Sequence, residues 1–295
     1  MIKTLSVTTV AIIAFSTFAN AAVYQVNEFL PAWNGDGVWY ATTADGGTAS
    51  VVSLAGTGGN LENNQPLPIG AAKLTTAYNS NASRADALVT GNFGDASEFL
   101  RTASLTYSYY KEQVASAPGD VPGSNQFAAP ALRLLIDATG GVFDGANPTR
   151  NWGYLVYEPY WNQGTGLPVE GAWDTEFIDQ TNGFWWWTGG FNLPNGAGGP
   201  PLDTLAGWLA ALSTDVDFAD AIIAGIGVGV GSYNAGQIGY FDNVSYTFNN
   251  ATTTWDFEVQ ADGVVPEPMT IAVWSVLGLC GSAVAWRAKR RQLTA

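Results

Sequence analysis

Between residues 22 and 262 the chain alternates short hydrophobic runs with turns that are rich in glycine, asparagine and proline. Short runs with many aromatic and β-branched side chains, bounded by such turns, predict β-strands. The predicted strands are residues 23–26, 38–40, 50–54, 71–78, 85–90, 105–111, 131–137, 152–157, 173–178, 183–188, 221–230, 239–248 and 253–259. The pattern therefore predicts a single, mainly β domain of the sandwich type.

Local spacing adds two hairpins and one helix to this prediction. Strand 71–78 is expected to pair with 85–90, and strand 173–178 with 183–188, because short polar turns join them. Apolar residues then recur at helical spacing, and Asp203 stands where a helix N-cap is expected. The helical positions are Leu205, Trp208, Leu209 and Leu212. The fold class predicted is a β-sandwich with one short helix.

Both ends of the chain carry a different, continuous hydrophobic pattern. Lys3, an apolar run over residues 5–18 and Ala19-Asn20-Ala21 have the order of a signal peptide, predicted here as a helix that ends with residue 21. Residues 269–286 contain no charge, and as a helix they would span about 27 Å, close to the thickness of a bilayer core. The sequence predicts a transmembrane helix there and a basic cytoplasmic tail over residues 287–295.

The C-terminal pattern resembles a known sorting signal. Pro266-Glu267-Pro268 lies in a linker, residues 263–268, and precedes the hydrophobic segment; a basic end follows, with Arg287, Arg290 and Arg291. This order resembles the PEP-CTERM signal, whose carriers are substrates of exosortase in Gram-negative bacteria that make exopolysaccharide. The resemblance implies export through the signal peptide, transient residence in the inner membrane, processing near the Pro-Glu-Pro triplet, and then location at the cell surface or in the matrix. An ordinary single-pass anchor is the alternative.

Composition restricts what the exported part can do. Residues 22–265 contain 24 acidic and six basic residues, a formal charge of −18, and such a surface repels nucleic acid. The sequence has no histidine, which removes Ser-His-Asp and Cys-His catalysis and the usual zinc sites. Cys280, the single cysteine, lies in the hydrophobic tail, so the domain contains no disulfide. Carbohydrates, divalent cations and basic proteins remain open as ligands or partners.

The end of the domain carries a second resemblance. Residues 226–232, with glycine at alternate positions, are followed by Gly239 and by Asp242-Asn243-Val244. These segments are similar to the last two strands of concanavalin-like and galactose-binding-like jelly rolls, which include many carbohydrate-binding modules. The resemblance implies a single jelly-roll-like sandwich over residues 22–262.

Tryptophans are the candidate ligand contacts. Trp185, Trp186 and Trp187 are consecutive, so on a strand Trp186 must face one side and its neighbours the other. Indoles bind sugars by presenting a flat apolar face to the ring. Packing inside the domain and partial exposure as a sugar platform are both open for these three residues and for Trp173.

Acidic residues form two candidate constellations. Asp174, Glu176 and Asp179 resemble the Glu-x-Asp-x-x-Glu strand of laminarinase-like hydrolases, but the long and short acids are exchanged here, which favours solvated turn acids over catalysis. The second set could supply oxygen ligands to a structural calcium ion or could cap a turn. It consists of Asp215, Asp217 and Asp220.

The sequence as a whole predicts an exported surface or matrix protein. We expect it to be non-catalytic and associated with exopolysaccharide, either by binding the glycan or as a structural component, with no cofactor beyond a possible calcium ion. The expected partners are an exosortase-type processing enzyme, a glycan and, through the C-terminal helix, the membrane. Two alternatives stay open: a carboxylate-based glycan hydrolase on the same sandwich, and a purely structural surface protein.

Overall fold

The computed structural model describes residues 20–112, 127–138, 151–164, 167–194, 196 and 198–259. The described strands are β1 (Asn20–Val26), β2 (Trp39–Ala44), β3 (Thr48–Ser53), β4 (Gly70–Thr75), β5 (Arg84–Thr90), β6 (Ser104–Lys111), β7 (Ala131–Asp137), β8 (Trp152–Tyr157), β9 (Trp173–Ile178), β10 (Trp185–Gly189), β11 (Ile222–Gly231), β12 (Ile238–Phe248) and β13 (Ala251–Phe257). Helical segments are α1 (Gly59–Asn63), α2 (Ala96–Thr102), α3 (Pro159–Asn162), α4 (Leu205–Leu212) and a 3-10 turn (Val216–Asp220). The mainly β prediction is confirmed.

The strands form two sheets. The front sheet has six strands in the order β10-β8-β7-β11-β5-β2, and all of its pairs are antiparallel. In the seven-stranded back sheet, β6 runs along one edge of β12 with β9 beyond it. The other edge of β12 pairs with β4 and then β13, and these continue to β3 and β1. The β1–β13 pair is parallel.

One hydrophobic core joins the inner faces of the two sheets. Trp39 of the front sheet packs edge-on against Phe257 and Trp255 of the back sheet, with ring centroids 4.9 and 5.5 Å apart. Tyr107 of β6 meets Tyr157 of β8 at right angles. Alternation places the neighbours of these residues on the outer faces. Two sheets packed on a shared core make a β-sandwich, as the sequence predicted.

Both predicted hairpins are wrong. β4 lies in the back sheet and β5 in the front sheet, so the chain crosses between sheets at the Asn79-Ser80-Asn81 turn. β9 and β10 are divided between the sheets in the same way. Each of these four strands buries one face in the core between the sheets. It keeps that face inward by pairing with a strand that is distant in the chain and not with its sequence neighbour.

The predicted helix is present as α4, but its cap differs. The side chain of Thr204 accepts a hydrogen bond from the Gly207 backbone N–H and caps the helix, whereas the predicted cap, Asp203, exchanges backbone hydrogen bonds with Trp185. The prediction of a single helix is wrong because α2 has seven residues and its own cap, Asp95, which accepts from Glu98 N–H at 2.8 Å. Neither α1 nor α3 exceeds five residues.

The predicted terminal segments fall almost entirely outside the described residues. β1 begins at Asn20, so only the last two residues of the predicted signal peptide belong to a described element. The linker at 263–268, the transmembrane helix at 269–286 and the basic tail at 287–295 are not among the described residues. In the part of the chain that is described, no helix is long and apolar enough to cross a membrane.

A candidate ligand-binding pocket on the front sheet

A pocket of about 660 Å³ lies on the outer face of the front sheet, and we call it the front pocket. Its floor is built from outward-facing residues of five neighbouring strands, because alternate residues of each strand point away from the core. These floor residues are Trp186 and Thr188 of β10, Tyr154 and Val156 of β8, Arg133 of β7, Gly229 of β11, and Arg84 and Asp86 of β5. The volume lies within the usual range for small-molecule sites.

Glycines on β11 give the pocket its depth. Ile226, Val228 and Val230 point into the core, while the intervening Gly227, Gly229 and Gly231 face outward. A Cβ added at Gly229 would overlap both the Asp86 carboxylate and the Arg133 guanidinium. Because β11 has glycine at these outward positions, an ion pair has room to lie across the pocket floor.

That ion pair joins β7 to β5 across β11. Arg133 Nη1 lies 2.7 Å from Asp86 Oδ1, and both side chains are mostly buried. Burial raises the pKa of Asp86 above its usual range, while the positive charges of Arg133 and then Arg84 oppose that rise. The pair fixes one positive and one negative group in the floor of the pocket.

Glu158 follows β8 and stands at the side of the pocket. Burial raises its pKa to about 7, and the Arg133 charge and the neighbouring indoles of Trp186 and Trp161 limit that rise. This carboxyl group is therefore partly protonated near neutral pH. In its neutral form it can both donate and accept hydrogen bonds.

Aromatic rings form the rim. Tyr160 packs edge-to-face against both Phe127 and Trp161, with ring centroids 5.2 and 4.6 Å apart. The Trp161 N–H donates to the Gly198 carbonyl at 3.3 Å. Tyr233, also in the lining, is 75% exposed and has a left-handed backbone (φ 66°). Its N–H donates to Asn81 O at 2.7 Å, which helps to hold that conformation. The pocket thus has apolar, flat surfaces around a polar floor.

The structure divides the four predicted ligand-binding tryptophans. Trp186 is half-buried in the front pocket, as strand alternation predicted for one of the three consecutive residues. Trp185 and Trp187 point the other way and are fully buried in the core, so of the two alternatives the structure favours packing for them. Trp173 lies on the back sheet, packs against Tyr110 and donates to Leu61 O at 3.0 Å. It has no part in the pocket.

The acids considered for hydrolysis meet elsewhere, in what we call the acid group: Asp174, Glu176, Gln163, Tyr109 and Tyr157. Gln163 Nε2 donates to Asp174 Oδ2 at 2.9 Å and to Glu176 Oε1 at 3.3 Å, so the two oxygens are no further apart than the sum of those distances. Tyr109 also donates to Asp174, and Tyr157 donates to Glu176. Burial raises the pKa of Glu176, and the Asp174 charge adds to this.

Every carboxylate oxygen of the acid group accepts a hydrogen bond. The fourth, Asp174 Oδ1, accepts from the Thr175 backbone N–H at 2.9 Å. Asp179 does not join the group, because its carboxylate caps the turn that follows by accepting from the N–H groups of Thr181 and Asn182. The sequence prediction that this stretch provides turn acids is therefore right for Asp179 only.

Of the three predicted calcium ligands, Asp215 serves a turn. Asp215 caps the 3-10 segment by accepting from the Asp217 N–H at 3.0 Å and also accepts from Asn192 Nδ2 at 2.6 Å. Asp217 and Asp220 are exposed. Within the described ranges no group of three acidic, histidine or cysteine side chains could hold a metal ion. The structure does not bring Asp215, Asp217 and Asp220 together as ligands.

Most of the pocket was missed in the sequence because its members come from separate strands. Arg133, Asp86 and Glu158 are far apart in the chain, and no motif connects them. Three signals were available, and the first two are that basic residues are rare in this domain and that glycine occupies alternate positions of β11. The third signal is Arg133, a charged residue inside the apolar run of β7. It indicated that one face of this strand points outward and that the arginine has an acidic partner.

Comparison with known proteins gives little beyond a broad likeness. No protein-family model matches the chain, and no curated sequence is similar to it. Among solved structures, the family 11 carbohydrate-binding module of the cellulosomal cellulase Lic26A-Cel5E of Clostridium thermocellum is 13% identical with a TM-score of 0.38, over 77% of this chain and 96% of that one. An exo-β-agarase is 14% identical with a TM-score of 0.35, over 71% of this chain and 24% of that one.

A β-1,2-glucanase from Parabacteroides distasonis is 10% identical with a TM-score of 0.35, over 72% of this chain and 23% of that one. Similarity at this level carries no functional information, and the properties of the pocket rest on its own geometry. The finer jelly-roll assignment stays a prediction.

Proposed function

We propose that this protein is an exported, non-catalytic glycan-binding protein that holds a saccharide in the front pocket. The observation that carries the proposal is the combination of aromatic and polar groups around one cavity of about 660 Å³. Trp186, Tyr154 and Trp161 supply flat apolar surfaces, and the Arg133–Asp86 pair and Glu158 supply donors and acceptors.

Sugars require this combination. A pyranose ring has apolar C–H faces that pack on aromatic rings and equatorial hydroxyl groups that need hydrogen bonds. Each pocket group is anchored by the sheet or by a short segment next to it, so little conformational entropy is lost when a ligand binds. A rigid, partly aromatic pocket with a few charged groups favours a saccharide over a purely apolar ligand.

The delivery of the protein is part of the proposal. We infer export through the signal peptide, a transient stay in the inner membrane, processing by an exosortase-type enzyme at Pro266-Glu267-Pro268, and location at the surface or in the exopolysaccharide matrix of a Gram-negative bacterium. The PEP-CTERM-like order of the C-terminal residues supports this. Changing Pro266, Glu267 and Pro268 to alanine should leave a full-length species in the inner membrane, whereas unchanged size and location would favour an ordinary anchor.

A structural calcium ion remains a prediction for which no site is identified.

Glycan binding can be tested directly. The full-length protein is screened on a glycan array, and the affinities for binders are then measured by calorimetry. We expect Trp186→Ala to weaken binding about tenfold or more, because it removes a large half-buried aromatic surface from the pocket floor. The control is Trp33→Ala, since Trp33 is 55% exposed but does not line the pocket.

Three results would count against the proposal. Equal loss in the Trp33 and Trp186 variants would place the ligand elsewhere. No binding to any glycan, with and without calcium, would favour the purely structural role. A shortened oligosaccharide product after incubation would favour the enzyme.

The hydrolase is a second candidate because Asp174 and Glu176 converge on Gln163 with a separation compatible with a retaining mechanism. Their oxygens are already hydrogen-bonded, and neither residue lines the front pocket. If the protein is a hydrolase of this kind, Glu176→Gln abolishes product formation and leaves glycan binding intact. The absence of enzymatic activity stays a prediction.

A further inference from the structure

The basic residues of this acidic domain are distributed unevenly. Five of the six lie among the described residues, and two of these five, Arg84 and Arg133, line the front pocket. The remaining three have partners outside it: Lys111 pairs with Glu170, Arg101 pairs with Glu98, and Lys73 lies 5.4 Å from the centre of the Tyr240 ring. The pocket therefore holds two of the five described basic residues of a domain whose formal charge is −18.

Arg84 differs from the other four described basic residues in having no direct ion pair or ring contact, although its charge also acts on Asp86. Arg133 is neutralised by Asp86 at 2.7 Å, whereas within the described chain Arg84 has no ion pair and no contact with an aromatic ring face. Its cross-strand neighbours are Gly231 of β11 and Ala44 of β2, which offer no acceptor side chain. Arg84 is exposed and lines the pocket, so its guanidinium is open to a ligand.

We propose that the front pocket selects an acidic saccharide, whose carboxylate is bound by Arg84 beside the Arg133–Asp86 pair. This inference rests on the proposed glycan-binding function and names the class of glycan. The planar guanidinium presents parallel N–H groups that match a carboxylate, and a charge-assisted pair of this kind is stronger than a neutral hydrogen bond. The sugar ring would then lie against the aromatic surfaces of Trp186 and Tyr154.

The charge balance of the pocket supports an anionic ligand. The charged and titratable groups that face it are Arg84, Asp86, Arg133, Tyr154, Glu158, Tyr160 and Tyr233. Two positive groups, Arg84 and Arg133, face two acidic groups, Asp86 and Glu158, and burial keeps Glu158 partly neutral near pH 7 by raising its pKa to about 7. The positive charge of the lining is therefore in excess at that pH. The negative charges elsewhere on the domain are screened within about 8 Å at physiological salt, so the groups that line the pocket determine the electrostatic potential that a ligand meets there.

The experiment compares acidic and neutral oligosaccharides of the same linkage. Calorimetry with the full-length protein at pH 6 uses oligogalacturonate, oligoalginate and hyaluronan oligosaccharides, each beside its carboxyl-reduced form. We expect at least one acidic oligosaccharide to bind about tenfold or more tightly than its reduced form. Arg84→Gln should remove that preference while leaving the affinity for the neutral form within about twofold.

Two controls separate the pocket from general electrostatics. Arg101→Gln removes an exposed arginine that pairs with Glu98 away from the pocket, and it should leave the preference unchanged. Raising the pH from 6 to 8 should weaken acidic binding, because Glu158 becomes negative beside the ligand; Glu158→Gln should abolish this change. Equal pH responses in the parent protein and Glu158→Gln would contradict the charge balance.

The outcomes distinguish this inference from the function on which it rests. If reduced oligosaccharides bind as well as acidic ones, or neutral glycans alone bind, the acidic specificity is wrong and glycan binding stands. If sulfated carrageenan oligosaccharides bind more tightly than any uronate, the carboxylate is the wrong anion. If no oligosaccharide of either kind binds, both proposals fail together.

Discussion

The front pocket and the acid group both bring carboxylates and aromatic residues together, yet they differ in what remains free. In the acid group, the oxygens of Asp174 and Glu176 all accept hydrogen bonds from the protein. In the front pocket, Arg84 and Glu158 face a cavity, and Arg133 and Asp86 bind each other across its floor.

The difference shows that convergence of acids is not enough to identify a site. A buried polar group is stabilised when its hydrogen bonds are complete, and the acid group meets that requirement within the chain. It fixes β9 of the back sheet to β8 of the front sheet through Glu176 and Tyr157. The front pocket instead keeps polar groups beside open space, where a ligand can form hydrogen bonds with them.

The largest expected effect comes from filling the pocket while leaving the acid group intact. Gly229→Val places a side chain where Asp86 and Arg133 now lie, so it breaks their ion pair and occupies the floor. We expect no detectable glycan binding and a loss of about 2–4 kcal/mol in the free energy of unfolding, from overpacking and from separated buried charges. Urea unfolding and calorimetry measure both.

Gly164→Val is the matched control, because a Cβ at Gly164 meets no atom within 4 Å. It should change neither binding nor stability by more than about 0.5 kcal/mol. Retained glycan affinity in Gly229→Val would show that the ligand site is not the front pocket.

The sequence predicted individual strands far better than their arrangement. The bounds of β7, β8 and β9 agree with the prediction to the residue, since apolar runs flanked by turn residues define them locally. The hairpins failed because pairing depends on which sheet completes the burial of each strand. The division of Trp185, Trp186 and Trp187 followed from alternation alone, but which face would hold a pocket depended on residues from β5, β7 and β11.

An intermediate effect should appear when the acid group is left with an incomplete set of hydrogen bonds. Tyr157→Phe removes the donor to Glu176 Oε2 at 2.8 Å and leaves a half-buried carboxylate oxygen short of a partner. We expect a loss of about 1–3 kcal/mol in the free energy of unfolding and glycan affinity within about twofold of the parent. Chemical unfolding followed by tryptophan fluorescence gives the first value.

Tyr24→Phe, at an exposed tyrosine of β1, controls for the loss of a hydroxyl group. A Tyr157→Phe protein that keeps its stability but loses glycan binding would reverse the roles assigned to the two regions.

The smallest expected effect is a dependence of stability on pH that comes from Glu158 in the pocket and is absent at an exposed carboxylate. Burial raises its pKa from 4.5 to about 7, so between those values the folded protein binds more protons than the unfolded chain. Stability then falls as the pH rises through this range. Other acids contribute in the same direction, since burial also raises the pKa of Asp242 and of Glu258 to about 7. The parent protein should therefore melt higher at pH 5 than at pH 8.

Glu158→Gln should reduce this difference by about 2–4 °C, which corresponds to about 1 kcal/mol for a domain of this size. Glu28→Gln, at an exposed carboxylate, should leave it unchanged. A parent protein that melts higher at pH 8, or equal pH responses in the parent and Glu158→Gln, would mean that Glu158 is ionised at little cost and that the pocket is as polar as bulk solvent.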